Sequence, residues 1–142
     1  MTVISHNGID LAGTSSISRG ALWTGRVMSG LVIAFLLMDG AMKLIPLQVV
    51  IDTSQQMAIP LDIIPTLGVL TLVGTLLYAW PRTSVLGAIV LTGYLGGAIY
   101  AHLRLADPLF THTLFGVYLG LLIWGGLYLR DPRVRALIPF HA

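Results

Sequence analysis

The amino-acid sequence predicts an all-α integral membrane protein, a four-helix bundle with both termini in the cytoplasm. Three observations lead to this prediction. Four long apolar stretches fill most of the 142 residues. Only 10% of the residues are charged, whereas soluble domains carry about 25%. Six of the eight basic residues, finally, fall on one of the two faces that these stretches would connect.

Each apolar stretch is long enough to cross a bilayer as an α-helix. At 1.5 Å of rise per residue the stretches measure about 25–33 Å, which matches a hydrocarbon core of about 30 Å. A barrel is not favoured, because the stretches lack the alternation of apolar and polar residues that barrel strands show. The predicted spans are about 24–45, 64–80, 84–103 and 109–129. We expect Pro46 to end the first span.

The predicted domain organisation is simple. One four-helix domain is expected over residues 21–138, between a flexible polar tail at 1–20 and a short tail at 139–142. The long connection at 47–63 mixes apolar and polar residues, and it could either cap the bundle along the membrane interface or form a loose loop.

The distribution of basic residues predicts the orientation. Only Lys43 and Arg104 lie near one face, and cytoplasmic segments carry the excess of Lys and Arg. The cytoplasmic set is Arg19, Arg26, Arg82, Arg130, Arg133 and Arg135.

Composition also excludes several kinds of function. The chain has no cysteine, which excludes disulfides, thiol catalysis and thiolate-bound metal centres within it. The net charge of +2 is too small to indicate nucleic-acid binding. No zinc-hydrolase motif or nucleotide-binding glycine loop is present, so we expect no metal site.

Ionisable residues within the spans mark the candidate site, because such groups are costly in hydrocarbon. Counted at 1.5 Å per residue, Asp39 and Thr71 lie about 9–10 Å below the extracytoplasmic edge. We expect a shallow funnel open to that side, with Asp39 at its floor as the candidate catalytic residue. The candidate ligand-binding residues are Lys43, Thr71, Tyr100, His102, Arg104 and His112.

Each candidate also has a plainer interpretation. Asp39 and Lys43, at i and i+4, could form a structural ion pair. The hydroxyl of Thr71 could bond to its own helix. The two histidines could be interfacial residues with water partners, which we favour over a pair of haem ligands. Asp107 could simply close the hairpin before Pro108.

Glycines occur in register on the last two spans. Gly93 and Gly97 form one GxxxG pair, and Gly116 and Gly120 form another. Such pairs allow helix backbones to approach closely. We expect them to pack inside the monomer, with a homo-oligomer seam as the alternative.

Several segments resemble the DoxX-like family. They are DGAMKL at 39–44, YAWPRT at 78–83, LTGYLGG at 91–97, HLR at 102–104, THTLF at 111–115 and WGGLYLR at 124–130. Members of that family are small bacterial four-helix membrane proteins, named from a membrane subunit of thiosulfate:quinone oxidoreductase. The resemblance implies a location in the bacterial inner membrane and a role linked to quinones or redox partners. Many relatives carry a Glu near the position of Thr71, which this chain lacks.

Three functions follow from these observations. The first is a membrane subunit that binds a quinone or a similar apolar carbonyl compound and supports electron transfer by a partner enzyme. The second is a non-catalytic partner or assembly module. The third is an isomerase or hydrolase of a lipophilic substrate that uses Asp39 as a general base.

Overall fold

The computed structural model describes residues 17–45 and 47–138, and in this part the chain is helical without any β-strand. A 3₁₀ turn at Leu61–Ile63 leads into the third helix, and a π-helical turn at Leu109–Thr113 leads into the fifth. The six α-helices are α1 (Arg19–Leu44), α2 (Gln48–Gln56), α3 (Ile64–Ala79), α4 (Ser84–Arg104), α5 (Phe115–Arg130) and α6 (Pro132–Leu137).

The predicted all-α fold with four membrane-spanning helices is confirmed. In the part of the chain that the structure describes, four helical segments are long and apolar enough to span a membrane: Arg19–Leu44, Leu61–Ala79, Ser84–Arg104 and Leu109–Arg130. α1 begins earlier than predicted because Ser18 caps it, accepting a hydrogen bond from the Ala21 N–H at 3.2 Å. The predicted stop at Pro46 and most of the two predicted tails lie outside the described residues.

The four spans are arranged as a ring. α1 packs against α3 and α5, and α4 packs against the same two helices. α1 and α4 therefore occupy diagonal positions. Because the connection at 47–63 joins the C-terminal end of α1 to the N-terminal end of α3, α2 marks one end of the bundle, called here the α2 end.

The half of the bundle away from α2 is densely packed, and Tyr78 is at its centre. This side chain is fully buried. Its hydroxyl donates to the carbonyl of Ile123 at 2.9 Å and lies 2.9 Å from the Ser29 hydroxyl, so three spans meet at one phenol. Leu91 and Leu127 fill the space around it without exposed surface. We call this part of the bundle the Tyr78 half.

Glycines make the close helix contacts of the Tyr78 half. A Cβ at Gly87 would lie 2.1 Å from the backbone nitrogen of Tyr78, so α3 and α4 touch there backbone to backbone. A Cβ at Gly25 would lie 2.8 Å from the carbonyl oxygen of Gly126, which brings α1 against α5. Only glycine permits these approaches.

The glycine pairs predicted from GxxxG spacing behave differently. Among residues 17–45 and 47–138, no heavy atom from outside the local helix backbone lies within 4 Å of the Cβ position at Gly93, Gly97 or Gly120, so the prediction that these three pack inside the monomer was wrong. Gly116 does pack, against Ile99 of α4. Spacing alone cannot reveal which way a glycine faces, and three of these four face open space.

Candidate cavity at the α2 end

A cavity of about 670 Å³ lies at the α2 end, between the diagonal helices α1 and α4. Such a volume is typical of sites for small organic ligands. Its deepest lining residues include Phe35, Gly93 and Leu119. These residues lie 9 to 11 residues from the ends of their spans, or about 15 Å at 1.5 Å per residue. The cavity therefore reaches towards the middle of the membrane.

The connection between α1 and α3 covers this cavity. Val50 and Ser54 of α2, with Met57 and Ile59 after it, contribute to the lining. Arg104 at the end of α4 donates a hydrogen bond to the Met57 carbonyl at 2.7 Å. The covering segment is thus attached to the end of a span.

Backbone geometry ends α2 sharply. Ala58 has a positive φ of 50°. The Ile59 N–H donates to the Ser54 carbonyl at 2.8 Å, and the Ala58 N–H donates to that of Gln55 at 3.0 Å. This is a Schellman cap with alanine in the position that glycine usually occupies. It turns the chain back towards α3.

The first polar group in the cavity, the carboxylate cluster, consists of Asp39, Lys43 and Tyr94. Lys43 Nζ donates to Oδ1 of Asp39 one turn earlier in α1. The Tyr94 hydroxyl on α4 donates to Oδ2 at 3.3 Å. Lys43 Nζ also lies 5.9 Å from the centre of the Tyr94 ring, within the range of a cation–π contact. All three side chains line the cavity.

The second polar group, the histidine cluster, consists of His102, Asp107 and His112. His102 Nδ1 lies 2.7 Å from Oδ2 of Asp107. Because an ionised carboxylate only accepts hydrogen bonds, Nδ1 carries the hydrogen and Nε2 is left for another partner. The rings of His102 and His112 meet edge to face with their centres 5.8 Å apart. Both histidines line the cavity.

The end of α4 explains how Asp107 reaches His102. Ala106 has a φ of 54°. The Asp107 N–H donates to the His102 carbonyl and the Ala106 N–H to that of Leu103, both at 3.1 Å. This second Schellman cap folds the chain back over the last turn of α4. Asp107 thus closes the hairpin and also orients an imidazole.

The predicted site residues divide into three sets. Four of them line the cavity: Asp39, Lys43, His102 and His112. Arg104 is exposed and holds the covering segment. Thr71 is fully buried outside the lining and donates to the Leu67 carbonyl at 2.8 Å. Tyr100 is 68% exposed and also lies outside the lining.

Sequence reasoning did not identify Tyr94 or the aromatic pair in the cavity wall. Phe35 and Phe115 meet edge to face, with ring centres 5.4 Å apart. For Tyr94 a signal exists, because a phenol deep in an apolar span normally requires a hydrogen-bond partner. Side chains also tilt towards the N-terminus of their helix, which places the Asp39 carboxylate deeper than its Cα and nearer to Tyr94.

Within residues 17–45 and 47–138, no group of three or more His, Asp or similar ligands is placed to hold a metal ion.

Comparison with known proteins assigns the chain to a family. Residues 27–126 match the DoxX-like family. The chain belongs to the DoxX-like family. The match includes the second and third spans, most of the first and fourth, and both polar clusters of the cavity, so the suspected resemblance is confirmed. No curated protein and no solved structure is detectably similar to the chain. Membership of the DoxX-like family agrees with a membrane protein and does not by itself define a reaction.

Proposed function

We propose that this DoxX-like protein binds a quinone, or a similar small apolar compound with carbonyl oxygens, in the cavity at the α2 end. The observation that carries the proposal is one apolar cavity holding two separate polar clusters. A quinone has the complementary pattern, since it is a flat apolar ring with a carbonyl oxygen on each of two opposite sides. The aromatic wall of Phe35 and Phe115 suits such a ring.

The carboxylate cluster supplies a strong donor for one carbonyl oxygen. The Lys43 ammonium has three hydrogens, and Asp39 accepts one of them. Asp39 and Tyr94 hold the ammonium in place, so little side-chain freedom is lost when a ligand binds. Its remaining hydrogens are available to the cavity.

The histidine cluster supplies a group that can exchange a proton at the second oxygen. Asp107 fixes the His102 ring through Nδ1 and leaves Nε2 for a ligand. Reduction of a quinone adds two electrons and two protons, one proton to each oxygen. In this proposal the electrons come from a partner redox protein, and His102 or His112 conducts protons between the cavity and water.

The proposed location is the bacterial inner membrane, with both termini in the cytoplasm and the cavity towards the outside. Its support is the distribution of basic residues, since Arg130 ends the fourth span, and Arg133 and Arg135 follow it, at the end opposite α2.

An assembly module is the second candidate, favoured by one observation. A shallow groove of about 320 Å³ runs along α4 and α5, and its lining includes Gly96, Gly120 and Trp124. Another copy of the chain would bury this groove in a homo-oligomer. Catalysis by Asp39 has less support, because Lys43 and Tyr94 already donate hydrogen bonds to its two carboxylate oxygens.

Quinone titration of the purified protein tests the proposal. We expect the protein to bind decylubiquinone in mild detergent, and calorimetry measures the affinity. Lys43→Met should weaken binding by about 10-fold or more, as expected for loss of a charged hydrogen bond. Tyr100→Phe, a change on the exposed face of α4, should leave binding unchanged. Failure of the correctly folded wild-type protein to bind any quinone would refute the proposal.

A further inference from the structure

We propose that the cavity is filled from the bilayer, through a gap between α3 and α4, and that its ligand has a long apolar chain which stays in this gap. The inference rests on the proposed function and specifies it further, because it distinguishes a membrane-soluble ligand from a small water-soluble one. Its observations come from α3 and α4.

The two helices are in contact in the Tyr78 half. A Cβ at Gly74 of α3 would lie 2.9 Å from Leu91 Cδ2 of α4 and 3.2 Å from Val90 Cγ1. One turn further along, at Gly87, the contact is backbone to backbone with Tyr78. There is no space for a ligand between α3 and α4 at these levels.

Nearer to the α2 end the contact is lost. Gly93 and Gly97 are both exposed and both line the cavity, and the Cβ position of each has no heavy atom within 4 Å. On α3, Leu70 lines the same cavity and is 41% exposed. Each of these residues faces open space at the seam where the two helices would otherwise touch. The helices therefore separate between the level of Gly74 and Leu91 and the α2 end of the bundle.

The depth of the gap determines what can enter it. Gly93 lies 11 residues before Arg104, and Leu70 lies 9 residues after Leu61. Both positions are therefore about 14–17 Å from the α2 end, near the middle of a hydrocarbon core of about 30 Å. A gap at this depth opens onto acyl chains, so it admits molecules that are dissolved in the bilayer.

A route past α2 would meet the covering segment. α2 and the residues after it lie over the cavity, and Arg104 holds them through the Met57 carbonyl. The lateral gap needs no movement of that segment. The ligand would place its polar ring between the two clusters and its isoprenoid or alkyl chain in the gap. It would then contact both the polar and the apolar parts of the site.

Two probes and two variants test this inference. The probes are decylubiquinone and the same quinone ring without its chain. We expect the wild-type protein to bind the chained probe at least about 10-fold more tightly, because its chain makes packing contacts in the gap that the ring alone does not make. The double variant Gly93→Leu with Gly97→Leu fills the gap, and we expect it to lose about 10-fold affinity for the chained probe. Its affinity for the chainless ring should change less than about twofold.

Gly96→Leu is the matched control. Gly96 lies on the same helix at the same depth, is exposed, and has no heavy atom within 4 Å of its Cβ position, but it does not line the cavity. We expect this variant to bind both probes like the wild-type protein. Gel filtration and circular dichroism establish that each variant is folded.

A photoreactive probe tests the route without any substitution. A decyl quinone with a diazirine at the tip of its chain should cross-link to α3 and α4 near Leu70 and Gly93. Cross-links in α2 instead, or equal binding of the chained probe by the wild-type protein and the double variant, would overturn the lateral route and leave the proposed function intact. Absence of binding by either probe would refute the proposed function itself.

Discussion

Tyr94 on α4 donates its hydroxyl hydrogen to Oδ2 of Asp39 on α1 at 3.3 Å, across the diagonal of the bundle. The two residues are 55 positions apart in the sequence. Their hydrogen bond joins the two diagonal helices at the cavity wall, and it occupies Oδ2 of the carboxylate, whereas Lys43 occupies Oδ1. This hydrogen bond therefore helps to position α4. Through Asp39 it also helps to hold Lys43, the proposed donor, in place.

Removal of this bond has a predictable effect. Tyr94→Phe keeps the ring and deletes the hydroxyl, so we expect a loss of about 1 kcal/mol in the free energy of unfolding, typical of a hydrogen bond between membrane helices. Equilibrium unfolding in mixed detergent micelles measures the loss. Tyr100→Phe makes the same chemical change on an exposed face of α4 and should have no effect. Equal stabilities of the two variants would contradict the structural importance of this bond.

The glycine contact between α3 and α4 should be intolerant of any side chain. Gly87→Ala places a methyl group against the backbone of Tyr78, which cannot give way as a flexible side chain would. We expect a loss of about 3 kcal/mol, as for severe overpacking, measured by the same unfolding assay. Gly30→Ala in α1, where the Cβ position has no heavy atom within 4 Å, should instead stabilise its helix by about 0.5–1 kcal/mol. Tolerance of both changes would mean that α3 and α4 are further apart.

The Schellman cap at the end of α4 contains a strained backbone conformation that a glycine would relieve. Ala106 has a φ of 54°, a left-handed conformation that costs an L-residue about 1–2 kcal/mol. Ala106→Gly should therefore raise the unfolding free energy by about 1 kcal/mol. Ala41→Gly, within α1, should lower it by about 0.5–1 kcal/mol. Thermal unfolding of the two variants checks the opposite signs, and a destabilised Ala106→Gly variant would argue against the left-handed cap.

Asp131 gives a prediction about pH. The Arg133 side chain donates hydrogen bonds to the Asp131 carboxylate and lowers its pKa below the ordinary value. A lowered pKa means that the ionised carboxylate stabilises the folded state above the unfolded pKa of about 3.9. This stabilisation is lost as the pH falls through the folded pKa. Asp131→Asn keeps an oxygen that can cap α6 but loses the charge.

Thermal unfolding at a series of pH values from about 6 to 3 measures this effect. The wild-type protein should be more stable than Asp131→Asn at the upper end, and the difference should shrink below about pH 4. A difference that is independent of pH would mean that the ion pair with Arg133 does not form in solution.

Much of the fold could be predicted because hydropathy reports directly on the solvent around each residue. The four spans and the ion pair of Asp39 with Lys43 follow from apolar runs and from the i, i+4 relationship on a helix. Both depend on residues close together in the sequence. The ring order of the helices depends on distant residues, and the direction that each glycine faces depends on that order. Gly93 and Gly97 therefore look like packing residues until the position of α3 is known.

The site could be predicted only in part for the same reason. His102 and His112 can be identified from the sequence because ionisable residues are rare in apolar spans. Both line the cavity. The phenol of Tyr94 indicates that a hydrogen-bond partner exists, but Asp39 can be identified as that partner only when α1 and α4 are known to lie on one diagonal. The pairing of Asp107 with His102 needs a left-handed alanine at position 106, which residue preferences do not favour.

The dense packing around Tyr78 has a consequence for the proposed function. The Ser29, Tyr78 and Ile123 contacts fill the bundle between the inner end of the cavity and the other membrane surface. Under the proposed function, the protons that a bound quinone takes up or releases therefore exchange with the compartment at the α2 end and not across the bundle.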